Sequence, residues 1–424
     1  MGKYTISKQA DKKIGSDMAV IVREIQERIP SVISIILTGG FARGEGPVKK
    51  IKGKFVPYND YDIQIICPAK LSKGEIDKIA TEISKGLGYG GIKEIFYPFK
   101  KENQKMGDNF YVDLKCDTPE DLKKLLPRIR TYELKNDSLV LWGRDVRKLI
   151  PDYALKDVPI SEGAKLLLDR MSQMIEYYST EGRHDKEVLT YFIQQAYAAC
   201  CTALLLLKGK YQLGYNRSMK ILKEDYQEDF PELYKKIPDL HLKVEQFINW
   251  KMNPQKLPNS DVEAEWFIAK NNILWVSKYF FSKFLNKKTG NVGELADAIL
   301  KMQKKFYVPY IRDMTQNKFG FNLGFLNVFA LPFVSFILKY KYYQRLKIFR
   351  VRKPGVIFGK SPDLVIFASL IFLISAVDEN GVDKKLLQRG QKLLKRVYPS
   401  GGKNWEEISL DYANAYIAFF LQKL

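Results

Sequence analysis

Apolar residues change their spacing along this chain, and those changes divide it. Between residues 8 and 29, Ile14, Met18, Val20, Ile21, Ile25 and Ile29 recur at helical steps with Arg23, Glu24, Glu27 and Arg28 between them, which predicts an amphipathic helix. The next run, Ile33-Ser34-Ile35-Ile36-Leu37, is short and β-branched and stops at Thr38-Gly39-Gly40, so it predicts a strand, a tight turn and a helix start. Asn59-Asp60-Tyr61-Asp62-Ile63-Gln64-Ile65-Ile66 predicts a second strand paired with the first. Ser72, with Glu75 three residues on, forms the capping-box pattern that opens a helix through Leu87. A glycine-rich turn over 86–91 ends that helix, residues 92–97 predict a third strand, and Lys100, Lys101 and Lys105 fill the loop after it. Alternating apolar residues in Phe110-Tyr111-Val112-Asp113-Leu114-Lys115-Cys116 predict one more strand.

From 118 to 149 the pattern gives two helices, a short apolar run (Leu139-Val140-Leu141-Trp142-Gly143) and another helix; Pro151 and Pro159 then mark a boundary. Beyond it the period is helical almost throughout. Residues 164–178 and 188–207 predict long helices, and 231–290 adds more, with Trp250, Trp266 and Trp275 expected in cores. The run 319–338 carries no charge and matches the roughly 20 residues that span a bilayer, although Asn322, Asn327 and Pro332 interrupt it. Lys339, Lys341, Arg345, Lys347, Arg350, Arg352 and Lys353 follow, mixed with tyrosines. Segment 319–353 therefore fits a buried core helix, a contact with an anionic membrane surface, or an arm for nucleic acid or nucleotide. Residues 363–377 predict a central core helix, 384–396 a basic helix and 405–424 a last amphipathic one. The expected fold class is α+β: a small mixed β-sheet domain over 1–150, a helical bundle over 151–310 and a helical region over 311–424.

The turn and the strand after it hold the candidate chemistry. Glycines at 39 and 40 let backbone approach a ligand with no Cβ between, and N–H groups at the following helix start suit an anion. Arg43 adds a planar, permanently charged donor for a phosphate oxygen. Asp60 and Asp62 stand at i and i+2 of one strand, so both carboxylates face the same way and suit hard cations. Two metals about 3.5–4 Å apart stabilise the attacking and leaving oxygens of an in-line displacement at phosphorus. Asp113, on its own strand, is the candidate third carboxylate. Glu45 suits three roles: orienting Arg43, touching an acceptor, or favouring the helix dipole from its first turn.

Gly39-Gly40-Phe41-Ala42-Arg43-Gly44-Glu45 with Asp60-Tyr61-Asp62 and the downstream Asp113 resembles the signature of the DNA polymerase β-type nucleotidyltransferase superfamily, in its minimal and kanamycin-type forms. The resemblance spans residues 30–116. It implies a small mixed sheet backed by helices, an NTP substrate, magnesium or manganese on Asp60, Asp62 and Asp113, and transfer of a nucleoside monophosphate with release of pyrophosphate. Thr38, Gly39, Gly40 and Arg43 are the implied nucleotide-binding residues, and Asp113 the implied general base. The chain departs from the pattern twice. Gly40 stands where a Ser is usual, as in the tRNA 3′-end-adding branch, so Thr38 or a backbone N–H takes over the hydroxyl's contact with phosphate. Residues 47–57 lengthen the gap before Asp60 and predict an inserted hairpin whose lysines meet triphosphate or an acidic acceptor. Residues 164–178, 188–207 and 209–212 resemble the helical bundle that follows the catalytic domain in kanamycin-type enzymes, which implies a role over the acceptor or nucleotide.

Composition bears on the acceptor and the compartment. A net charge of +21 over 424 residues attracts polyanions, so the expected acceptor is RNA, tRNA especially, rather than a small cationic molecule. A protein hydroxyl and a small-molecule or glycan acceptor remain alternatives, and a catalytically inactive basic scaffold on nucleic acid or membrane is the alternative of another class. Two histidines exclude a His-rich metal cage. Cys67, Cys116, Cys200 and Cys201 lack disulfide or zinc spacing and predict buried thiols. With no signal-peptide pattern at the N-terminus, a cytoplasmic setting is expected.

Overall fold

A computed structural model describes residues 2–58, 60–89, 111–182, 184–319, 324, 328–329, 331–346 and 360–421. The chain is α+β, with a small mixed sheet near its N-terminus and a mostly helical remainder. It divides into two compact units. One comprises Met1–Pro159, Asp185–Phe230 and Asp239–Ser260; the other comprises Ile160–His184, Pro231–Pro238 and Asp261–Leu424. Segment 151–310, expected as one bundle, thus contributes to both.

The first unit opens with α1 (Lys8–Arg28) and β1 (Ser34–Leu37), then α2 (Gly39–Ala42), the hairpin β2 (Val48–Ile51) and β3 (Lys54–Pro57), and β4 (Asp60–Ile66). It continues through α3 (Lys73–Gly86), β5 (Tyr111–Asp117), α4 (Pro119–Lys123), α5 (Ile129–Asn136) and β6 (Leu139–Gly143). The main sheet runs β5-β4-β1-β6. β1 is antiparallel to β4 and β6, whereas β4 and β5 are parallel, which makes the sheet mixed. β6 is the short apolar run that the sequence pattern left without a type. The strand expected at 92–97 and Lys100, Lys101 and Lys105 lie outside the described residues.

Side-chain alternation places the site. Ile35, Leu37, Tyr61, Ile63, Ile65, Val112, Leu114 and Cys116 form one core with Ile14, Met18, Ile21 and Ile25 of α1 and Ile76, Ala80 and Ile83 of α3. Local signals hold those helices: Ser7 accepts from the Ala10 N–H, and Ser72 and Glu75 make the expected capping box. On the opposite face, Ile36 and Ile66 join Leu122, Leu134, Val146 and Ile150 in a second core. Asp60, Asp62 and Asp113 are out of phase with the first core, so they belong to this second face. They precede Ile66 along the paired strands, beyond the apolar packing.

Helices Lys186–Lys208, Tyr215–Asp229 and Leu240–Met252 also belong to this unit. Among the described residues, Lys186–Lys208 is the one helix long and apolar enough to cross a membrane, and 89% of its apolar window is buried inside the protein. The inserted hairpin is present, but it is docked on these helices. Gln255 accepts from the Lys50 N–H and donates to the Val48 carbonyl, both at 3.1 Å, and Lys49 pairs with Glu187 at 2.6 Å. Lys52 and Lys54 remain exposed.

In the second unit, Pro362–Ser375 is the expected core helix, and every residue from Pro362 to Ile374 is buried. Trp266 is buried and stacks on Tyr178 with centroids 3.9 Å apart; Trp250 is buried in the first unit. Trp275 corrects the expectation of a core residue. It is 37% exposed, with Lys278 and Lys236 over its ring, because Val262–Leu285 turns it away from the face that buries Trp266. The described end of the uncharged run lies in helix Leu331–Arg345, where Phe336 and Tyr340 are exposed and Leu331 and Tyr342 buried. All four cysteines are free and buried.

Candidate active site

Two strands and one turn build the site. Because β4 and β5 run parallel in register, Asp60 lies opposite Tyr111, Asp62 opposite Asp113 and Gln64 opposite Lys115. The i, i+2 alternation puts all six on one face. Asp60, Asp62 and Asp113 each offer a carboxylate oxygen, and these oxygens lie within 4.8 Å of one another. Lys115 donates to Asp113 Oδ2, and its Nζ is 3.6 Å from Asp62 Oδ1.

The glycine turn closes on the same carboxylates. β1 ends beside β4, where the Thr38 N–H and hydroxyl both donate to the Asp62 carbonyl, at 2.9 and 3.3 Å. Gly39 has φ +70°, and a Cβ there would come within 2.4 Å of Asp62 Oδ2. Backbone conformation therefore favours glycine, and any Cβ would displace the Asp62 carboxylate. Gly40 is the second residue of the single turn α2 and accepts at its carbonyl from the N–H groups of Arg43 and Glu45. The turn and the three acids, read separately along the sequence, meet at Asp62.

Burial first, then the neighbouring Asp62 and Asp113, push the Asp60 carboxyl up to about 8, against the opposing pull of Lys115. The same three acids, with burial, raise the Tyr111 phenol above its ordinary range. Carboxylates crowded this closely repel one another, and a hard cation relieves the repulsion. The oxygen-only donor set, its spacing and the raised Asp60 fit magnesium or manganese. Asp62 and Asp113 keep about a third and a quarter of their side-chain surface in water, so an ion can reach them.

Arg43 occupies a different setting. Its guanidinium is 7% exposed, pairs with Glu45 at 3.3 Å and Glu133 at 3.2 Å, and lies over the Tyr215 ring. Burial lowers its pKa, but Glu133, Tyr215 and Glu45 more than reverse that. Glu45 also accepts from the N–H groups of Tyr215 and Asn216, both at 3.0 Å, and so caps helix Tyr215–Asp229. Of the roles open to Glu45, it orients Arg43, and it favours the start of a helix other than the one it follows. Glu133 on α5 is raised by burial and by Asp62 despite Arg43, so it lies between the two charge clusters.

Sequence reasoning missed Glu133, Lys115 and Tyr111 as neighbours of the acids. Lys115 and Tyr111 had a signal, since both share the phase of Asp113 on β5. Glu133 had none, because only the folded chain brings α5 to the turn.

No family model matches the chain, and neither does any curated protein. Among solved structures it is similar to the spectinomycin adenyltransferase AAD(9) from Enterococcus faecialis, crystallised with ATP and spectinomycin. Identity is 13% and the TM-score 0.34, covering 61% of this chain and 98% of that one. At that TM-score the likeness decides nothing about this chain.

Proposed function

We propose that the chain is a metal-dependent nucleotidyltransferase that moves a nucleoside monophosphate from an NTP to a hydroxyl acceptor. One observation carries this: the oxygens of Asp60, Asp62 and Asp113 converge within 4.8 Å beside the turn at Gly39, whose left-handed backbone packs against Asp62. Asp60, Asp62 and Asp113 would hold magnesium or manganese, which supplies charge neutralisation at the reacting phosphate. Backbone at Thr38, Gly39 and Gly40 faces the phosphates, and Asp113 takes the proton of the acceptor hydroxyl as its oxygen bonds to the α-phosphorus. The bond from that phosphorus to the bridging oxygen breaks, and pyrophosphate leaves. Arg43 positions the turn through Glu45 and Glu133 rather than by meeting phosphate itself. Most of the rate comes from positioning and charge.

The net charge of +21 favours a polyanionic acceptor, and RNA is the proposed one. The free, buried thiols suit a reducing compartment, so the cytoplasm is the proposed location. The test incubates the protein with cell extract, each α-phosphate-labelled NTP and magnesium. Label that RNase removes supports RNA; label that only protease removes indicates a protein hydroxyl, and label resistant to both a small molecule or glycan. Asp62→Asn is expected to lower transfer on the order of 10²–10³-fold. Transfer that survives both Asp60→Asn and Asp62→Asn overturns the proposal and leaves the inactive basic scaffold.

A further inference from the structure

Lys115 is the one cation seated on the acid cluster among the described residues, and its placement follows from the strand. It stands two residues after Asp113 on β5, on the same face, opposite Gln64 rather than another acid. Its ammonium donates to Asp113 and lies 3.6 Å from Asp62, so it bridges acids from both strands.

We infer that Lys115 is a resident counter-cation which yields its place to divalent metal and then pairs with the phosphates of the incoming nucleotide. The inference rests on the nucleotidyltransferase proposal and deepens it by naming how the site is charged before substrate arrives. The residue type fits a handover. A lysine ammonium is a compact charge on a flexible four-carbon stem, whereas a guanidinium forks rigidly onto its partners. Lys115 keeps 34% of its side-chain surface in water, while Arg43 keeps 7% and is fixed between two glutamates. A half-exposed ion pair of this kind is weak enough to exchange. With the ammonium on Asp113 and Asp62, metal must compete for the same oxygens. Once displaced, the charge stands beside the turn that faces phosphate. Lys115 would thus disfavour metal in the nucleotide-free protein and favour the triphosphate.

The test uses the full chain and two binding measurements that need no turnover. Mn2+ binding without nucleotide is followed by the paramagnetic resonance of the free ion for the wild type, Lys115→Met, Lys115→Arg and Asp62→Asn. Lys115→Met is expected to bind Mn2+ about tenfold more tightly than the wild type, Lys115→Arg to stay near it, and Asp62→Asn to lose binding. Labelled ATP binding in EDTA is expected to weaken about tenfold in Lys115→Met and to survive in Lys115→Arg. If Asp62→Asn loses Mn2+ but Lys115→Met gains no affinity, the counter-cation inference fails while the metal site stands. ATP binding in EDTA unchanged by Lys115→Met overturns the handover. If Asp62→Asn binds Mn2+ as the wild type does, the acid cluster is not the metal site and both readings fall.

Discussion

Two charged clusters share the first unit, and they answer the cost of burying charge in opposite ways. Around Arg43, one guanidinium faces Glu45 and Glu133, and the surplus negative charge on Glu45 meets the Tyr215 and Asn216 N–H groups at a helix start. A helix N-terminus carries roughly half a positive charge, so this cluster is compensated from within. Around Asp60, three like charges crowd together, and Lys115 pairs with Asp113 and Asp62. Opposite charges matched in place are architecture; like charges crowded together suit a cation from solution. The contrast gives Arg43 and Asp62 different surroundings, although both belong to one sequence signature.

The sharpest way to break that contrast is to delete one charge from each cluster and measure stability and transfer together. Arg43→Met leaves Glu45 buried without its cation and Glu133 half-covered, which is expected to cost about 3–5 kcal/mol in urea unfolding. Asp62→Asn removes a like charge from a crowded set, so metal-free stability is expected to hold or rise while transfer collapses. If Arg43→Met unfolds like the wild type, or if Asp62→Asn is the less stable variant, the division into architecture and site is wrong.

A smaller effect tests the seam where turn and acid meet. In Gly39→Ala the new Cβ would meet Asp62 Oδ2 at 2.4 Å on a backbone with φ +70°. Strain of this kind costs about 1–3 kcal/mol, and the displaced carboxylate is expected to weaken Mn2+ binding along with stability. Mn2+ affinity equal to the wild type in a folded Gly39→Ala protein would show that the turn does not set the position of Asp62.

What the sequence disclosed follows the same division. Asp60, Asp62 and Asp113 were legible because a strand's two-residue period fixes which side chains share a face. Gly39 and Gly40 were legible because glycine pairs interrupt β-branched runs for few reasons. The capping boxes were legible because they are local. Arg43 was legible as a cation beside a turn but not as a buried one, since Glu133 and Tyr215 reach it only through tertiary packing. The docking of Lys49 on Glu187 was hidden in the same way, as was the division of the helices from 151 to 310 between two units. Trp275 shows the limit of helical period: in Val262–Leu285, apolar residues surround most of the helix, so spacing alone does not say which tryptophan faces out.

The smallest expected effect is a pH dependence, and its sign separates the clusters again. Burial, Asp62 and Asp113 push Asp60 up to about 8 in the folded protein, whereas a free aspartate titrates near 3.9. A raised carboxyl keeps its proton in the fold while the unfolded chain has released it. The stability tied to that proton is complete below about pH 4 and is lost as pH rises through 8. Asp60 is only partly covered, so water tempers the amplitude. Urea unfolding in EDTA at pH 5 and pH 8.5, wild type against Asp60→Asn, isolates this contribution. The wild type is expected to lose stability relative to the variant at the higher pH and to recover it when Mn2+ replaces the proton. A difference that stays constant across that range would mean the three carboxylates do not crowd one another, and the like-charge crowding that sets this cluster apart from Arg43 would go with it.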